Sequence, residues 1–352
     1  MIQSGTGRQV RNKTQRHDAC LRVFLRRRVP ASPHPRVGFF IIVTVIAFAL
    51  YFATNSSSSR AQTKPRRSGA HSVAVREAFT PADRLMVERA IGAACTARLH
   101  DPLGSTPIDE MQLRPSLPAG HPDAVAGAHR AEHLLPITRK LVAAAIVQLA
   151  RDYDLYGTAA SQAKINAATT RVEAVRRIRP DVDSRDNASV LLREPHTIDF
   201  GTIFLAGLRS DEAMISVLAH ELTHIASGQA NSLRPLFHAI ARRAAVRTGL
   251  RIQGQRAEEL GCDLVGVMAA RDFIRQTPGW EPLPRRLARA FEHNCVDDDA
   301  ADEDHLSPRN TIRALFALDM SLAREVLTDG NSGALSILPG ISTATASLLT
   351  GP

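Results

Sequence analysis

Val217-Leu-Ala-His220-Glu221-Leu-Thr-His224-Ile-Ala226 is the stretch from which the rest of the chain is read. Two histidines stand four residues apart, with a glutamate directly after the first. Residues i and i+4 share one face of a helix, so both imidazoles can reach a single metal ion. Glu221 then lies beside that ion, where it can take a proton from water. At about 100° per residue, Met214, Ile215, Leu218, Leu222 and Ile225 fall on the opposite side. The segment therefore predicts a helix with one face in a core and one face on a cleft. Zinc suits a His/His/carboxylate set with an open fourth position, and one Zn2+ is expected.

Two histidines need a third protein ligand. Downstream, Glu258-Glu259-Leu-Gly-Cys262-Asp263 leads to Gly266. Glu259 and Asp263 are again i and i+4. Glu259 is the expected ligand, and Asp263 can accept the other ring N–H of a ligand histidine and fix its tautomer. Glu258 lies about 100° away and is the weaker ligand candidate. Cys262 is either a soft ligand or a small core residue. Gly266 would let two helices approach closely. Without the upstream motif, the acidic pair would read as an ordinary solvated helix start.

HExxH followed by a helix bearing E-x-x-x-D-x-x-G resembles the gluzincin metallopeptidases of the HtpX and CAAX-prenyl-protease family, with their Oma-like and BepA-like members. Ile198 to Leu208 is similar to that family's strand before the active-site helix, and Asp211 to His220 to the approach to its motif. Ser307-Pro308 and Arg313 are similar to its His-Pro…Arg segment. The resemblance covers about residues 185–325. It implies His220, His224 and Glu259 as zinc ligands, Glu221 as general base, Asp263 behind a ligand, and Arg313 as a supporting arginine. The family histidine before proline is Ser307 here, so His305, two residues earlier, is the first candidate for transition-state support. Tyr153, Tyr156, His196, His238 and His293 are the others.

The chain has 352 residues and a formal net charge of +9. Residues 1–67 hold 13 Lys/Arg against Asp18 alone, which is +12, so residues 68–352 carry −3. A basic surface for nucleic acid is therefore not expected on the larger part of the chain. Val37 to Ala53 is a 17-residue uncharged run with no polar face. It predicts one transmembrane helix. Nine basic residues before it and four after it place the N-terminus on the cytoplasmic side. The expected plan is a basic tail (1–36), an anchor (37–53), a flexible tether (54–78), a peptidase domain (79–330) and a C-terminal tail (331–352). A bacterial inner membrane with the domain outside the cytoplasm is the first reading. A mitochondrial inner membrane is the alternative.

The fold class expected is α+β and mostly helical, a zincin-type domain with a small sheet. Thr80-Pro81 signals a helix start. Residues 101–125, with five prolines, read as loop. Helices are expected at Leu134–Leu149, Ala159–Ile178, Asp211–Ser227, Leu233–Leu250, Gln255–Gln276 and Thr311–Leu327. Strands are expected at Ser189–Leu192 and Thr197–Leu205, the latter offering an edge to an extended substrate. Cys95 and Cys295 can pair in an oxidising compartment or stay as free thiols. The acidic run from Asp297 to Asp304 lacks the spacing of a calcium loop and reads as solvated. Together these readings predict a membrane-anchored zinc endopeptidase acting on protein or peptide substrates. A non-proteolytic chaperone or assembly adaptor on the same fold is the alternative.

Overall fold

Thr80 opens the first described helix with a capping box: its hydroxyl accepts from the Asp83 amide at 3.1 Å, and the Asp83 carboxylate accepts from the Thr80 amide at 3.0 Å. The helix it starts, α1 (Pro81–Leu99), belongs to a computed structural model that describes residues 79–296 and 301–328. The chain divides after Arg67 into two units, and the first lies outside the described residues. So do the anchor expected at 37–53, the tether at 54–78 and the tail at 331–352.

The domain is mostly helical with one three-stranded sheet, as expected. A short helix α2 (Ile108–Leu113) interrupts the expected loop, and α3 (Pro122–Asp152) begins inside it with Pro122 in its first turn. By length and composition α3 is the one helix among the described residues long and apolar enough to cross a membrane. Its apolar stripe, from Ala131 through Leu135, Val142 and Ile146 to Ala150, is buried in the core. Its other side carries His129, Glu132 and Lys140. That pattern is the one a central core helix requires.

After α3 comes α4 (Ala159–Ala174), which stops four residues short of the expected Ile178. The reason is a strand not anticipated from sequence, β1 (Arg177–Asp181), which pairs in parallel with β3 (Thr197–Gly201). β2 (Ala188–Val190) pairs antiparallel on the other side of β3. The order is β1-β3-β2, so β3 is the central strand and offers no edge. The edges are β1, where Pro180 is tolerated, and β2. β3 also ends at Gly201, not Leu205. A Cβ there would lie 2.1 Å from the Arg185 carbonyl, so only glycine fits the sharp exit. The apolar run that follows is a buried helix, α5 (Thr202–Gly207). Apolar content alone cannot separate a buried strand from a buried helix turn.

The motif helix is α6 (Asp211–Ser227). Ser210, not Asp211, is its cap: the Ser210 hydroxyl accepts from the Ala213 amide at 3.2 Å. Asp211 and Glu212 occupy the first turn, where the helix dipole favours acids. At the far end the Arg171 guanidinium donates to the carbonyls of Ala226 and Ser227. Met214, Ile215, Leu218, Leu222 and Ile225 are all buried. Beyond it come α7 (Arg234–Thr248) and α8 (Gln255–Gln276), and α8 packs along α6. Gly266 permits this approach, because a Cβ there would sit 2.6 Å from the Ser216 carbonyl oxygen.

A short α9 (Leu283–Arg289) was not foreseen. Its Arg286 binds Glu212 at 2.6 Å and so holds the first turn of α6, and its Arg289 binds Asp101, just after α1, at 2.6 Å. The expected Thr311–Leu327 helix is two helices, α10 (Pro308–Leu318) and α11 (Met320–Leu327). They break at Asp319, whose carboxylate caps α11 by accepting from the Ser321 amide at 2.9 Å. Cys95 and Cys295 are joined in a disulfide that ties α1 to the segment after α9, which decides between the two readings of these cysteines.

Candidate metal centre

His220 and His224 lie one turn apart on α6, facing α8, at the wall of a cleft of about 420 Å³. The Asp263 carboxylate accepts from His220 Nδ1 at 2.8 Å, and the Glu258 carboxylate accepts from His224 Nδ1 at 3.1 Å. With Nδ1 donating to a carboxylate in each ring, Nε2 offers a lone pair whenever the ring is neutral. Those two Nε2 atoms are 3.2 Å apart. Glu259 Oε2 stands 3.1 Å from the first and 3.3 Å from the second. Three donor atoms are therefore clustered closely enough to share one ion once the rings are neutral. A tetrahedral ion with bonds of about 2.0–2.1 Å needs donor separations of about 3.3–3.4 Å, close to these three distances.

The electrostatics agree with a site that draws positive charge. Burial opposes the charged form of His220, yet Asp263 and Glu259 outweigh it and hold the ring well above its ordinary pKa. His224 is likewise raised against burial, by the Cys262, Glu258 and Glu259 side chains. Glu259 is buried, which resists ionisation, but its bonds to His220, His224 and His305 hold it far below the usual carboxylate range. A proton or a metal ion can supply the charge these groups favour.

Cys262 also belongs to this cluster. His220, His224 and Cys262 each offer a ligand atom, all within 4.8 Å of one another, and together they could hold a metal ion. The thiol is fully buried, and burial pushes its pKa up. Two donor sets thus share the same histidine pair.

Glu221 is buried and borders the cleft, and burial raises its pKa. Its carboxylate makes no hydrogen bond among the described residues. His305 reaches the same cleft, its Nε2 3.6 Å from Glu259 Oε2 and its Nδ1 3.0 Å from Asp302. The nearby Glu259 carboxylate, with Asp302, raises its pKa to about 9 against burial. Arg313 is not brought there: its Nε donates to Glu88 of α1 at 2.7 Å, and it does not line the cleft. Nor do Tyr153, Tyr156, His196 or His238. His293 lies nearby and is half-buried, with a pKa lowered by desolvation against the field of Asp263.

Sequence reasoning did not single out Gln255, which donates to Glu259 Oε1 at 2.8 Å, or the role of Glu258 behind His224. The signal for Glu258 was present: about 100° from Glu259 on one helix, it meets the second histidine as Asp263 meets the first. Part of the acidic run, 297–300, lies outside the described residues. Asp302 organises a turn by accepting from the Asp304 amide at 2.8 Å. In comparisons with family models, with curated proteins and with solved structures, the chain matches none.

Proposed function

We propose that the chain is a membrane-anchored zinc metalloendopeptidase resembling the gluzincins, with the anchor at 37–53 and protein or peptide substrates. The observation that carries this reading is the convergence of His220 Nε2, His224 Nε2 and Glu259 Oε2 beside the Glu221 carboxylate. Those three side chains would hold the ion, and Asp263 and Glu258 keep the rings in the metal-binding tautomer. When bound, zinc acidifies water and polarises a carbonyl.

Glu221 then takes the proton from the attacking water and delivers it to the leaving amine. Its freedom from other hydrogen bonds and its raised pKa suit both halves of that transfer. His305, which lines the cleft and is inclined to carry charge, would donate to the developing oxyanion. An extended substrate finds its strand partner at β2, since Asn187, Ala188, Ser189 and Val190 line the same cleft and β2 is a sheet edge. The −3 charge of residues 68–352 supports a protein substrate over a nucleic acid.

Zinc titration of the purified chain followed by digestion of an unfolded protein tests the reading. One ion per chain, lost in His220→Ala together with cleavage, is the expected result. Zinc binding without cleavage of any unfolded substrate would favour the adaptor reading.

A further inference from the structure

Glu259 and Cys262 are i and i+3 on α8, and both reach the histidine pair from the same helix. The carboxylate is a hard donor and lies at the cleft. The thiol is a soft donor and lies behind it, with no exposure to solvent. Imidazole accepts both kinds of ion, so the third donor decides which one is preferred. We propose that His220, His224 and Cys262 form a second donor set, which captures thiophilic ions such as Cu(I) and Cd(II) with the Cys262 thiolate in place of the Glu259 carboxylate. The proposal rests on the reading of both histidines as metal ligands. Binding breaks the S–H bond, releases that proton to solvent through the cleft and forms a sulfur–metal bond, with no change of oxidation state. An ion drawn to the buried thiolate moves away from Glu221 and the cleft, so thiophilic ions would silence the site instead of activating it.

Cd2+ titration of the full chain in a Cys20→Ser background, read by ultraviolet absorption, tests this. Cys262 is then the one thiol outside the Cys95–Cys295 disulfide. The expected result is a thiolate-to-cadmium charge-transfer band, absent in Cys262→Ala. The Cd2+ dissociation constant should rise about tenfold or more in that variant while the Zn2+ constant changes far less. A cadmium complex without the band overturns the proposal, as does Cd2+ affinity in Cys262→Ala equal to that of the chain with Cys262 intact. The band is read on an intact Cys262, so a poorly folding variant does not blunt the test. A cadmium band alongside Zn2+ affinity indifferent to Glu259→Gln would support this proposal and refute the His/His/Glu reading of zinc.

Discussion

At the scale of single residues, the site is held by pairs of groups that each settle one proton. The Asp263 carboxylate lies 2.8 Å from His220 Nδ1, and removing its charge would free the ring to present N–H toward a bound ion. Asp263→Asn is therefore expected to weaken zinc affinity by about 10–100-fold, read by chelator competition. An unchanged affinity would show that Asp263 does no more than pack. Such roles were legible in the sequence because a helix converts spacing into direction. His220/His224 and Glu259/Asp263 are both i, i+4 pairs, and each pair points one way. Roles that depend on how two helices are rotated against each other were not legible, so Cys262 stayed open between ligand and core residue. Arg313 shows the opposite failure. A motif position gives a residue type, while its partner, Glu88, comes from a helix more than 200 positions away.

At the scale of elements, α6 and α8 form the site, and their distance sets the ligand separations. Gly266 is the contact that permits that distance. Gly266→Ala is expected to force the helices apart and to cost about 1–3 kcal/mol, seen as a lower midpoint of thermal unfolding. Zinc affinity should fall with it, since the donors on the two helices would no longer converge. Full stability would mean the backbone yields at Ser216. The helix α6 itself could be read from its apolar face and its acidic first turn. The sheet could not be read in the same way. Arg177–Asp181 contains two arginines, a proline and an aspartate, and only pairing with Thr197–Gly201 makes it a strand. Tertiary context overrides local preference there.

At the scale of the whole molecule, buried charge and one cross-link hold the helices around the site. Glu292 is 1% exposed, and burial pushes its carboxyl up to about 7 even though the Ser105 hydroxyl donates to it at 2.6 Å. Its folded pKa lies above its unfolded value of 4.5. Its contribution to stability is thus fully present below the unfolded value and is lost as pH rises through about 7. The loss is about 3 kcal/mol on complete ionisation. Glu292→Gln should remove this dependence and leave the protein more stable than wild type at pH 8. Equal slopes of stability against pH in the two proteins would contradict it. The Cys95–Cys295 bridge closes a loop of 200 residues, and chain entropy assigns such a closure about 5 kcal/mol. Reduction should accordingly lower the unfolding midpoint in denaturant. Cysteine spacing could not have shown this pairing, because it depends on α1 returning against the segment after α9.

In the proposed function Glu221 drives peptide hydrolysis at a zinc ion held by His220, His224 and Glu259. Cleavage of an unfolded protein by the full chain and by Glu221→Gln, at matched zinc content, tests it most directly. The variant is expected to keep its zinc and to lose about 10²–10⁴-fold in rate. A variant that keeps both its zinc and its full rate would contradict it.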